Sequence, residues 1–142
     1  LMFRDWMSEI GEDKLLEKYD ITPGELYTKT LNAEWMVYAA RELAMLLNKN
    51  EEANTLNKIR LQIKYGVRKE LLELVALRGI GRVRARLLWD NGIRKITALK
   101  EMEDKRLEKI LGPQVAKQVI EQIREDQYEK FSRIKARGRH AE

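Results

Sequence analysis

Residues 78–88, RGIGRVRARLL, carry the types and spacing best suited to gripping a phosphate: two glycines around one isoleucine, then arginines at alternate positions. Gly79 and Gly81 allow the positive φ and close backbone approach that a tight turn between two helices requires. Ile80, held between them, then points inward. Backbone N–H groups of Gly81, Arg82 and Val83, at the positive end of the following helix, form a ready site for a phosphate oxygen, and Arg82, Arg84 and Arg86 surround it with charge. A GxG in an ordinary turn with arginines on a solvated face is the competing reading, and the flanking apolar runs weigh against it. Those runs, Leu71, Leu72, Leu74, Val75 and Leu77 before the turn and Val83, Ala85, Leu87 and Leu88 after it, predict one buried face on each helix, with the small Ala85 at the crossing.

This pattern resembles the helix-hairpin-helix motif, whose members hold nucleic-acid backbone without reading sequence. The resemblance implies DNA contacts from Gly79, Ile80, Gly81, Arg82, Val83, Arg84 and Arg86, with Arg78 beside them as a further candidate. A second helix pair at 104–111 and 113–125 looks like a degenerate copy around Leu111, Gly112 and Pro113, with Ala116 at its crossing. It has one glycine in place of two, and Pro113 removes an amide that a phosphate would use. Structural support is its expected role.

Composition narrows the remaining options. At 142 residues, 44% hydrophobic and 36% charged, the chain suits one compact soluble domain or two small ones. No apolar run is long enough to span a bilayer, and the opening LMFRDWMSEI carries acids where a signal peptide needs a basic start, so export and membrane association are not expected. Cysteine is absent and the only histidine is His140, which leaves no disulfide, no zinc site and no histidine base. A hairpin-containing glycosylase would need a catalytic aspartate in an apolar setting, whereas Asp90 and Asp104 sit among polar residues at helix ends. Neither a catalytic nor a metal-binding residue is therefore assigned. Charge is uneven: residues 1–66 hold 9 Lys and Arg against 11 Asp and Glu, and residues 67–142 hold 19 against 12. A surplus of +7 in the second part suits a polyanion.

The elements that position these groups are all helical, since strand-like alternation is nowhere sustained and proline occurs only at 23 and 113. One helix is expected before Glu9 and another at about 12–19. Thr22, Pro23 and Glu25 then supply a cap, a first-turn proline and a capping-box acid for a long helix to about Leu47. Leu26, Thr30, Ala33, Val37, Ala40, Ala44 and Leu47 form one stripe, with Leu31, Trp35, Tyr38 and Leu46 on the far side, as in a central bundle helix. A further helix spans 50–65, with Leu56, Ile59 and Ile63 inward and Gly66 as its left-handed end. The hairpin helices follow at about 68–77 and 82–91, Gly92 ends the second, and Thr97 caps a short helix. The expected organisation is thus an all-α chain: a partial helical bundle with a long central helix (1–66), a helix-hairpin-helix domain (67–125) and a basic tail (126–142). Lys130, Arg133, Lys135, Arg137 and Arg139 in that tail either extend the phosphate contact or only solubilise it. Trp6 and Trp89 are expected in the core.

In order and spacing, PGEL at 23–26, AEW at 33–35, GVRKELLEL at 66–74 and GIGRVRAR at 79–86 resemble the C-terminal region of the archaeal Hjm-type Ski2-like DNA helicases, relatives of the helicase part of polymerase theta. The resemblance covers about residues 1–123. It implies that residues 1–66 are the latter part of a ratchet bundle whose long helix lies along a translocated single strand, with Trp35 stacking on a base. Packing of Trp35 against another bundle helix is the alternative. The family's basic contact two turns earlier falls here on Thr28, and the neighbouring Lys29 is rotated by about 100°. No GxxxxGK[ST] loop and no acidic magnesium motif occurs in the sequence, so ATP and Mg are expected only with motor domains in cis. Beginning at Leu1 within a helix, the chain reads as a fragment of an intracellular, cytoplasmic archaeal helicase. The implied partners are single-stranded or forked DNA, the implied activity 3′-to-5′ unwinding by the parent protein. A regulatory module that docks on the motor and brakes it is the alternative function.

Overall fold

In a computed structural model, the backbone is described for residues 1–138 and side chains for residues 1–126 and Glu129. Every regular element among the described residues is helical. The chain divides into two compact units, Leu1–Leu72 and Glu73–Glu142.

The first unit contains α1 (Met2–Met7), α2 (Glu12–Tyr19), α3 (Pro23–Leu46) and α4 (Asn50–Tyr65). The start of α3 is fixed by a full capping box: the Glu25 amide donates to Thr22 Oγ1 at 3.2 Å and the Thr22 amide donates to Glu25 Oε2 at 2.7 Å. The Thr22 amide, and after it the Thr22 hydroxyl, hold the Glu25 carboxyl below its ordinary range. Where α3 begins, Leu26 joins Trp6 and Leu15 in a small core flanked by Met2, Phe3, Ile10, Leu16, Tyr19 and Ile21. Trp6 Nε1 donates to the Ile63 carbonyl at 2.7 Å, tying α1 to α4. Gly66 then ends α4 at φ +63°, and a Cβ there would lie 2.4 Å from the Trp6 ring, so both backbone sign and space require glycine.

α3 packs along α4. Its expected inner stripe holds as far as Ala44, with Leu26 and Ala44 buried and Thr30, Ala33, Val37 and Ala40 half-buried, but Leu47, at the C-cap beyond the helix, is exposed. The far side, with Leu31, Trp35, Tyr38 and Leu46, is exposed in this chain. Beside the core, Asp5 Oδ2 accepts from Lys18 Nζ at 2.6 Å and from Tyr19 Oη at 2.7 Å. The two donors hold the Asp5 carboxyl below its usual value, and their hydrogen bonds to it, with its negative charge, raise both Lys18 and Tyr19.

The first unit ends with a 3₁₀ turn, Lys69–Leu71, and α5 (Leu72–Val75) spans the division; the second unit continues with α6 (Arg82–Asp90), α7 (Ile96–Lys100), α8 (Asp104–Leu111) and α9 (Pro113–Gly138). The first hairpin helix is thus shorter than the expected 68–77. Leu71, Leu74 and Leu77 are all buried at a spacing of three, which tight turns with i to i+3 bonds align and a straight α-helix would fan apart. α9 is longer than expected, since residues 114–137 hold no helix breaker. Thr97 lies inside α7 and does not cap it. Lys95 holds the cap position, and the Ile96 amide donates instead to Glu73 Oε1 at 3.0 Å, a carboxylate that sequence proximity could not reveal.

Candidate nucleic-acid interface

The hairpin sits between α5 and α6. Gly79 takes φ +84° and the Ile80 amide donates to the Leu77 carbonyl at 3.2 Å, which drives the isoleucine inward to 3% exposure. Gly81 is extended and forms the N-cap of α6, with no side chain capping the helix. Its carbonyl accepts from the Ala85 amide at 2.9 Å, and Ala85 is fully buried where α6 passes its neighbours. An N-terminus left open in this way presents amides and the positive end of the helix dipole, a contribution of about 0.3–1 kcal/mol toward an anion.

Val83 and Leu87 depart from the expected buried face, at 76% and 41% exposure. On a helix of nine residues, Ala85 and Leu88 fill the inward arc, and Val83 lies about 200° from Ala85. Val83 therefore stands among the exposed groups of the hairpin. Arg84 is exposed and Arg82 and Arg86 half-buried. Arg84 Nη1 donates to the Gly79 carbonyl at 3.1 Å, which braces the turn and leaves the rest of its five-donor fork facing outward.

Sequence reading missed the support beneath the hairpin. Gln122 of α9 takes both backbone groups of Arg78 with its side-chain amide: the Arg78 N–H donates to Oε1 and Nε2 donates to the Arg78 carbonyl, both at 2.8 Å. Gln118 stands next to it, its Oε1 3.0 Å from where a Gly79 Cβ would lie. The second helix pair thereby braces the first, the role its sequence suggested. Its own turn is one residue, Gly112 at φ +83°, followed by Pro113. Arg78 itself is highly exposed and lies 3.8 Å from Glu125 Oε2, a contact too open to count for much.

In the first unit, Trp35 is 66% exposed and meets Tyr38 edge-on, with ring centroids 5.8 Å apart and planes at 83°. A cavity of about 260 Å³ opens beside them, lined also by Leu31, Glu34 and Arg60. Arg60 Nη1 donates to Glu34 Oε1 at 3.1 Å, fixing the wall between α3 and α4. Thr28 lies on the same side of α3 as Trp35, about 20° away, but its hydroxyl donates to the Gly24 carbonyl at 3.0 Å. Lys29 is exposed beside Met2, Phe3 and Met36, rotated away from Trp35. Trp35 therefore stands in the first unit and the seven hairpin residues in the second. Arg139 and the side chain of Arg137 lie outside the described residues.

Of the other two tryptophans, Trp6 is buried as expected. Trp89 is only half-buried, because it projects from the end of α6 beyond the inward arc of Ala85 and Leu88. No helix among the described residues is long and apolar enough to cross a membrane, and no cluster of three or more His, Cys, Asp or Glu that could hold a metal occurs among them.

Residues 1–66 match the family model of the archaeal helicase domain 4, and residues 71–125 match that of the SAM-like helix-hairpin-helix tandem. Among curated proteins, the chain is similar to three helicases named ATP-dependent DNA helicase Hel308. The one from Methanocaldococcus jannaschii is 35% identical over 86% of this chain and 10% of its own length. The relative from Methanococcus vannielii is 40% identical over 86% of this chain and 16% of its own. That from Caldivirga maquilingensis is 37% identical over 95% of this chain and 19% of its own. The chain thus spans less than a fifth of the length of these relatives.

Proposed function

This chain belongs to the archaeal Hel308-type DNA helicases, with their domain 4 and a helix-hairpin-helix tandem, and from that membership we propose that it grips the DNA strand the helicase moves along. The observation that carries the reading is the open N-terminus of α6, capped only by Gly81, with Arg82 and Arg84 on its first turn and Arg86 on the next. A phosphodiester oxygen there accepts from the hairpin amides while the guanidinium groups neutralise its charge. Such contacts hold any sequence equally, as a translocating enzyme needs.

On α3, Trp35 offers its exposed indole to a base. Stacking is worth about 1–3 kcal/mol per base and tolerates every base, so it suits a helix along which a strand advances. The side of α3 that holds Trp35 carries no cation at Thr28, and Arg60 of α4 is the nearest basic group lining the same cavity. Single-stranded or forked DNA is the substrate on this reading. ATP hydrolysis with Mg and 3′-to-5′ movement belong to motor domains acting in cis, and the present residues supply grip.

Titration of labelled single-stranded DNA into the chain tests this. Replacing Arg84 and Arg86 together by alanine should weaken binding at least tenfold and flatten its salt dependence. Unchanged affinity would leave the arginines to another role, such as docking on an acidic protein surface.

A further inference from the structure

Trp89 and Arg94 form a second charged and aromatic feature at the opposite end of α6 from the hairpin. Two guanidinium groups lie over the Trp89 indole, Arg94 at 5.0 Å and Arg86 at 6.0 Å from the ring centroid. Arg82, Arg86 and Trp89 recur at i, i+4 and i+7, which places them within about 60° on one edge of the helix. Arg94 reaches that edge through the helix end: Gly92 takes φ +84°, and the Ile93 amide returns to the Leu88 carbonyl at 2.9 Å, folding the chain back over the last turn. Ile93 is buried at 2% exposure, so the fold-back is anchored.

Arg94 is exposed and pairs with no carboxylate among the described residues, Asp90 included. A guanidinium laid against an indole has its plane already set, and its N–H donors point outward along that plane. Less freedom is then lost when it takes a phosphate in two parallel hydrogen bonds. The distance from Arg82 to Trp89 along α6 is about 10 Å, within reach of one strand.

We propose that the Arg82–Arg86–Trp89–Arg94 edge of α6 is a second backbone contact, on which a strand held at the hairpin continues and sets a further phosphate on Arg94 beside Trp89. This rests on the reading of the hairpin as a phosphate grip, and it assigns to Trp89 and Arg94 a role in holding the strand. Arg94→Ala is the test, read by titrating labelled oligothymidine into the full chain at several salt concentrations. Binding should weaken three- to tenfold, and the slope of log affinity against log salt should fall by about 0.7, one phosphate on a single strand. Arg94→Lys, which keeps the charge and loses the planar fork, should recover the slope with only part of the affinity. If Arg84→Ala with Arg86→Ala weakens binding while Arg94→Ala changes neither affinity nor slope, the inference is overturned and the hairpin reading stands. If the parent chain binds no oligothymidine, both are overturned.

Discussion

At the α6 hairpin the outward groups are arginines, a glycine-capped helix end and one exposed valine; on the far side of α3 they are Leu31, Trp35, Tyr38 and Leu46, with the adjoining Glu34 and Arg60 already paired to each other. One surface attracts charge and the other attracts rings. A nucleic acid offers both chemistries, phosphates outside and base faces inside, so on the proposed function the two regions take different parts of it. The difference has a measurable signature, because counterion release makes phosphate contacts depend steeply on salt and stacking does not.

The largest effect is expected at Gly79. Valine there would have to adopt φ +84° as a β-branched residue and push against Gln118, a cost of about 1–3 kcal/mol to the local turn. DNA binding by Gly79→Val should lose most of its salt dependence, while quenching of Trp35 by a saturating oligonucleotide persists. Loss of both signals together would mean that the two regions do not contribute separately.

Next in size is Trp35→Ala, expected to cost about 1–3 kcal/mol in single-strand affinity at every salt concentration. Its thermal midpoint should stay close to the parent's, since the indole is exposed in this chain. A large drop in that midpoint would instead identify Trp35 as a packing residue.

A finer probe is Gln122→Ala, which strips the Arg78 backbone of two hydrogen bonds. The site is open to water, so the expected loss is about 1 kcal/mol in hairpin stability, visible as faster amide exchange at residues 78–81. If exchange there is unchanged, α9 does not brace the hairpin.

The smallest effect separates the units by pH. Asp5 has its carboxyl lowered by Lys18 and Tyr19, so its contribution is present above the ordinary carboxylate range and is lost as pH falls through its depressed folded value. Acid titration followed by Trp6 emission should show loosening of the first unit below the carboxylate range, and Asp5→Asn should reduce that response to the share carried by Glu25. An acid response identical in Asp5→Asn would place the sensitive group elsewhere.

Most of the architecture was legible because it is local. The Thr22 capping box, the left-handed Gly66 and Gly92 and the small Ala85 and Ala116 each report on backbone geometry within a few residues. What escaped was long-range or dependent on a crowded core. Gln122 reaches Arg78 across 44 positions and Glu73 reaches Ile96 across 23, and neither pairing leaves a periodic trace. The shortened first hairpin helix goes with the burial of Leu71, Leu74 and Leu77 at a spacing of three, which helix propensity does not encode. Val83 differs for a simpler reason: its apolar side chain suggests the buried face, while its angle on a short helix puts it outside. For Trp89, residue type alone points to the core, and its place at the helix end leaves it half-exposed beneath two arginines.

The division of labour between charge and stacking is tested most directly by measuring single-strand affinity across a range of salt for the parent, Trp35→Ala and the Arg84→Ala, Arg86→Ala pair. Trp35→Ala should give a line parallel to the parent's and displaced to weaker binding. The arginine pair should give a slope shallower by about 1.4, two phosphate contacts on a single strand. A parallel line for the arginine variant, or a flattened one for Trp35→Ala, would contradict the account.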